Sequence, residues 1–141
     1  MRITRRTLAI AAALAGVAVS IYLTIFHFVG LVPACPVTSR INCEVVLSSA
    51  YGVIAGTPVP TSAAGIVWFG VSVLLWLRPF GWAQLAWSGV GLLTVLYFVY
   101  VEIVPLGAIC LWCTACHVLV LIIFLIALTL WTERGHAAEA A

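Results

Sequence analysis

Four long apolar runs decide most of what this chain can become. They cover residues 8–30, about 61–77, about 82–101 and about 110–131. Each has roughly the 17–25 apolar residues that cross a bilayer as a helix. Lipid offers no partner to backbone N–H and C=O groups, so a run inside it must satisfy its own by folding as a helix. Of all residues 65% are hydrophobic, 7% are charged, and none is lysine. That little charge cannot cover a soluble domain. The expected fold is therefore an all-α integral membrane protein, a four-transmembrane-helix bundle in a single domain, 1–141. A net charge of +2, with no basic run interleaved with aromatics, gives no nucleic-acid partner.

The N-terminal MRITRRTLAIAAALAG has the basic start and apolar run of a signal peptide. The run continues through VSIYLTIFHFVG, which is long for a signal core, so an uncleaved first helix is expected. Arg2, Arg5 and Arg6 precede that helix, Arg78 lies between the second and third runs, and Arg134 follows the fourth. Four spans put all five on one side, which the positive-inside rule makes cytoplasmic. Both termini are then cytoplasmic. The loop 31–60, with Arg40 and Glu44, lies outside. Trp76, Trp82 and Trp131 fall near the inner interface, where aromatic belts form.

This topology puts Cys35 and Cys43 in the outer loop and Cys110 and Cys113 at the outer start of the fourth helix, with Cys116 one turn deeper. In bacteria that side is where disulfides are made. The loop segment NCEVVLSSAY, residues 42–51, reads as a short helix. Asn42 suits an N-cap and Glu44 the first turn. Gly52 and Gly56 would end it, and Pro58 and Pro60 would steer the chain into the second span. Its apolar side suits a lid across the bundle mouth, or a loop resting among headgroups. Cys35 and Cys43, eight residues apart, form either a structural staple or a second redox pair.

The densest motif is CLWCTACH, residues 110–117, where two motifs overlap. Cys110 and Cys113 have the C-x-x-C spacing of thiol–disulfide chemistry, which needs an attacking thiolate and a second thiol within reach. A helix N-terminus lowers a thiol pKa through its free N–H groups and dipole. Pro105 and Gly107 mark the break before that helix. Cys113, a turn deeper, would face a hydrophobic two-electron acceptor. His117 shares its face, and either hydrogen-bonds the acceptor, moves a proton, or is a polar residue satisfied within the bundle. Cys116 reads as a small buried residue, and Glu102 as an intramembrane or interfacial acid with no assigned role.

Cys113, Cys116 and His117 also match C-x-x-C-H, the spacing of covalent haem attachment. A porphyrin has little room inside this apolar run, and the chain's only methionine is Met1, although His27 could serve as an axial ligand. That reading also leaves Cys35, Cys43 and Cys110 unexplained. Four zinc ligands on two turns of one helix cannot surround an ion. A membrane soft-metal carrier and a c-type haem protein stand as alternatives to the redox enzyme.

Four apolar runs, the Cys35/Cys43 spacing, the segment NCEVVLSSAYG, Ser49 six residues after Cys43, and CLWC together resemble bacterial homologues of vitamin K epoxide reductase. The resemblance spans essentially the whole chain. It implies a quinone-dependent thiol oxidase that re-oxidises a thioredoxin-like partner and so supports disulfide formation. It implies that Cys35 and Cys43 shuttle electrons, that Cys43 passes them to Cys110, and that Cys113 meets the quinone (menaquinone or ubiquinone). Ser49 would line or support the quinone site. Some relatives carry the thioredoxin-like domain fused at the C-terminus; here the chain stops at Ala141, so a separate extracytoplasmic partner is expected. Vertebrate enzymes carry tyrosine where this chain has His117, so quinone reduction is expected as the natural task, in place of epoxide reduction. A thioredoxin-class oxidant near about −120 mV needs an acceptor of higher potential, which a membrane quinone provides.

Overall fold

The computed structural model describes residues 2–139. Met1, Ala140 and Ala141 lie outside the described residues, and so do the two ends of the expected 1–141 domain. The fold is all-helical: α1 (Arg2–Val29), α2 (Cys43–Leu47), α3 (Thr61–Trp76), α4 (Trp82–Ile103) and α5 (Leu111–Glu139). Three segments are long and apolar enough to cross a membrane: Thr4–Val29, Trp82–Ile103 and Leu111–Ala138. The chain is thus a multi-pass helical membrane protein. Helix α3 is also apolar but has 16 residues. At 1.5 Å per residue it reaches about 24 Å, short of a hydrocarbon core of about 30 Å. The four expected spans appear as three full-length candidates and one shorter apolar helix.

Two boundaries move outward. Helix α1 starts at Arg2 and α5 runs on to Glu139, beyond the apolar runs. The Arg5–Glu133 ion pair ties these extensions together. The expected 42–51 lid helix moves inward and covers only Cys43–Leu47. Its serines explain the stop. Ser48 Oγ donates to the Glu44 carbonyl at 2.7 Å and Ser49 Oγ to the Val46 carbonyl at 2.7 Å. Such bonds offer the backbone an alternative to continued helix. Helix α1 ends differently. Gly30 has φ +73°, and the N–H groups of Gly30 and Leu31 donate to the carbonyls of His27 and Phe26. That paired pattern closes a helix through a left-handed glycine.

Helix α1 packs on α3 and α5, and α4 packs on α5 and α3, so the four long helices close a ring. Away from α2 the interior is solid. Ala9, Ala12 and Ala13 of α1, Phe69 and Trp76 of α3, and Ile123, Ala127 and Leu130 of α5 form one buried cluster. Lipid tails are as apolar as these side chains, so close van der Waals packing does the work that water exclusion does in a soluble core. Small residues permit it: a Cβ on Gly16 would lie 2.4 Å from the Phe69 ring, and one on Gly91 2.2 Å from Trp68.

Polar groups fasten this same end. Arg6 Nε donates to the Trp76 carbonyl at 2.8 Å and its Nη2 to the Leu77 carbonyl, capping α3. The buried Gln84 accepts from Gly81 N–H at 2.9 Å and donates to the Leu75 carbonyl at 2.8 Å, fixing the α3–α4 turn. The Arg134 guanidinium lies 4.8 Å from the Phe80 ring centre. Trp76 corrects the expected aromatic belt. It is 2% exposed and packs on Phe80, whereas Trp82 and Trp131 are exposed.

Candidate active site: two cysteine pairs on either side of a cavity wall

Two strands of irregular backbone meet at the lid end. Ile109 N–H donates to the Arg40 carbonyl at 2.7 Å, and Asn42 N–H to the Ile109 carbonyl at 3.1 Å. Ile41 and Ile109 thereby form a parallel bridge. Thr38 holds the loop side, its Oγ1 accepting from Ile41 N–H at 3.0 Å. Cys43 follows one arm of the bridge and Cys110 the other. Both are buried, in one cluster with Val46 and Ala108, against which Cys35, Trp112 and Cys113 pack.

Asn42 caps α2, as its sequence position implies: its Oδ1 accepts from Val45 N–H at 3.2 Å. Cys43 therefore opens the helix, where it is bonded to Cys35 with the sulfurs 2.08 Å apart. Cys35 is half-buried, in extended chain between prolines. Trp112 anchors that chain. Its indole N–H donates to the Ala34 carbonyl at 2.9 Å, and its ring lies 4.8 Å from that of Tyr22.

Cys110 plays the N-cap role for α5. Its Sγ accepts from Cys113 N–H at 3.3 Å, and its carbonyl from Thr114 N–H at 2.9 Å. The C-x-x-C is reduced here, and Cys116 is also free. The Cys110 thiol is pushed below its ordinary pKa, chiefly by the hydrogen bond from the Cys113 thiol. Burial opposes this, and the N–H groups of Cys113 and Trp112 add to it. Helix N-termini act on thiols in this way.

On the other face of the C-x-x-C lies a cavity of about 1280 Å³. Typical small-molecule pockets hold about 300–1,000 Å³, so this one has room for a ring and part of an apolar tail. Val46, Leu47 and Tyr51 close it from the lid, and Phe69 and Val120 line it within the bundle. Cys113, Cys116, His117, Ser49 and Glu102 lie in its wall; Cys110 is not among the lining residues. The Ser49 hydroxyl is engaged in the turn after α2, donating to Val46 and accepting from Tyr51 N–H at 3.3 Å. Cys116 hydrogen-bonds the buried Ser20. Trp68 Nε1 is a buried donor beside the cavity with no hydrogen-bond partner among the described residues.

The six residues singled out from sequence thus gather at one end. Cys35, Cys43, Cys110 and Cys113 share a buried cluster. Cys113, Ser49 and His117 share the cavity. The sequence matches the profile of the vitamin K epoxide reductase family over residues 7–128. The chain belongs to that family. No match was found among curated proteins. Membership makes the protein a thiol–disulfide oxidoreductase of the membrane, and the C-x-x-C at the cavity wall suits that chemistry.

Three features escaped sequence reasoning. The Ile41–Ile109 bridge has no local signal, because its two arms are far apart in the chain. The Trp112 anchor is equally silent, since a tryptophan near a membrane surface has many uses. Glu102 was visible as an acid in an apolar run, but its contact with the C-x-x-C was not.

Proposed function

We propose that the protein is a quinone-dependent thiol oxidase that re-oxidises a thioredoxin-like partner through a two-pair relay. One observation carries this reading. Cys110 is buried against the loop disulfide, whereas Cys113, one turn on, lines the cavity. The C-x-x-C thus connects an outer thiol pair to an apolar chamber. Its catalytic residues are then Cys35, Cys43, Cys110 and Cys113, in a single domain with four spans. Both termini are cytoplasmic and the lid end faces outward, in a bacterial inner membrane.

In each cycle a partner thiolate attacks Cys35, the more exposed sulfur of the loop pair, and Cys43 leaves as thiolate. The partner's second thiolate releases Cys35, so the partner departs as a disulfide and the loop pair is reduced. Cys43 then attacks Cys110 of an oxidised C-x-x-C, and Cys113 leaves as thiolate. Cys35 attacks Cys43, restoring the loop disulfide and releasing Cys110. Loop pair oxidised with C-x-x-C reduced is the arrangement in this structure.

A quinone, menaquinone or ubiquinone, fits the residues present. The cavity is mostly apolar, and Trp68 Nε1 and His117 offer polar groups for an acceptor oxygen. When bound, the quinone supplies a two-electron, two-proton sink. Cys113 is the sulfur that meets it, and Ser49 shapes the site by holding the turn after the lid helix. His117, where vertebrate relatives carry tyrosine, favours quinone over epoxide as the substrate.

The test is quinone consumption by detergent-purified protein supplied with dithiothreitol and a short-chain quinone. Absorbance should fall catalytically with the wild type and not with Cys113→Ala. The same variant should accumulate a Cys43–Cys110 bridge, seen by peptide mapping under non-reducing conditions. Folded wild-type protein that consumes no quinone would sink the reading.

A further inference from the structure

One acid of the cavity wall also meets Cys110. Glu102, in the last turn of α4, is 5% exposed. Its carboxylate accepts the backbone N–H of Cys110, and its carbonyl accepts from Ala108 N–H at 3.0 Å. Among the described residues no cation pairs with it. Glu102 also lines the cavity beside Cys113. An uncompensated carboxylate is costly to keep in such a place, so an intramembrane acid is a functional candidate by default.

The proton count makes its position matter. Forming the Cys110–Cys113 disulfide removes two electrons and two protons from two thiols. Cys113 opens to the cavity and has a direct exit, with His117 one turn along. Cys110 is fully buried and lies outside the cavity wall. The other titratable groups on that wall are His27 of α1, Glu44 of α2, Tyr51 after α2, and Cys116 and His117 of α5. Of these groups, Glu102 is the one whose carboxylate meets Cys110, at its backbone N–H, and whose charge acts on the Cys110 thiol.

We propose that Glu102 carries the Cys110 proton to the cavity. As the sulfur–sulfur bond forms, the carboxylate takes the proton of Cys110. The electron pair leaves through Cys113, and Glu102 then releases its proton into the cavity. There both electrons, this proton and that of Cys113 are taken up by the quinone. The inference rests on the quinone-linked reading above.

Glu102→Gln keeps an oxygen for the Cys110 N–H but cannot carry the proton. The first readout needs no quinone. It is the infrared difference between dithiothreitol-reduced and diamide-oxidised full-length protein in detergent. A carboxylate stretching band should shift between the two states in the wild type, as Cys110 loses its proton, and be missing in Glu102→Gln. The second readout is short-chain quinone consumption. General acid–base groups contribute at least about 100-fold, so kcat should fall on that order with KM little changed, and Glu102→Asp should recover part of it.

Wild-type kcat in Glu102→Gln, or a redox spectrum without a carboxylate change, would overturn the inference and leave the quinone reading intact. A carboxylate change in wild-type protein that consumes no quinone would instead overturn that reading and support Glu102 as the acceptor of the Cys110 proton. If Glu102→Gln does not fold, Glu102→Asp decides: a shifted carboxylate band supports the inference and an unshifted band refutes it.

Discussion

The two ends of this bundle are built on opposite terms. At the arginine end, alanines and glycines let large side chains interlock, and Arg6, Gln84 and Arg134 fasten the helix ends. At the lid end, the elements are joined by a backbone bridge, a disulfide and one indole-to-carbonyl bond. That end leaves a cavity of about 1280 Å³. The solid end spreads its cohesion over many van der Waals contacts, each worth little. The lid end concentrates it in a few directional links, which can be broken and remade. Thiol exchange requires that. In the proposed relay, Cys43 leaves Cys35 and reaches Cys110 without the bundle coming apart.

This contrast can be broken from either side. The largest effect on stability is expected at the solid end. Ile123→Ala, at a residue 1% exposed, should cost about 3 kcal/mol by creating a cavity. Denaturant melts should show that loss, while quinone consumption per folded molecule stays unchanged. A fall in kcat matching the fall in stability would mean that the two ends are not independent.

Next comes the loop disulfide. Replacing Cys35 and Cys43 together by alanine opens a loop of nine residues, for which the chain-entropy account gives about 2.5 kcal/mol. The expected pattern is reversed: a moderate loss of stability with complete loss of partner oxidation. Direct reduction of quinone by dithiothreitol through Cys110 and Cys113 should persist. Its disappearance would show that the loop pair shapes the cavity as well as feeding it.

The smallest change sharpens the comparison. Trp112→Phe keeps the ring beside Tyr22 and removes the hydrogen bond to Ala34, for about 1 kcal/mol. In reduced protein, Cys35 should then react several-fold faster with a soluble alkylating reagent. An unchanged rate would mean that the prolines on either side hold Cys35 without help.

Much of this was legible in order along the chain. Asn42 capping α2 followed from local chemistry, and so did the C-x-x-C opening a helix after Pro105 and Gly107. The lid helix was read too long because its serine hydroxyls compete for the carbonyls that would have continued it. Trp76 was assigned to an interface because it lies at the end of an apolar run. Nothing in that run says that Phe80 folds back to cover it.

By itself, the sequence determined the solvent and the repertoire of parts. Uncharged runs in lipid must be helices, and cysteines at these spacings can exchange disulfides. The order of the two sulfurs along the helix already suggested which faces the loop pair, and the tertiary structure alone decided the contacts that hold each one there. Cys110 and Cys113 are three residues apart and chemically identical in the sequence. The Ile41–Ile109 bridge turns one toward the loop disulfide, and the opening between four helices turns the other toward a cavity. Those contacts join segments distant in the chain, so no local pattern encodes them.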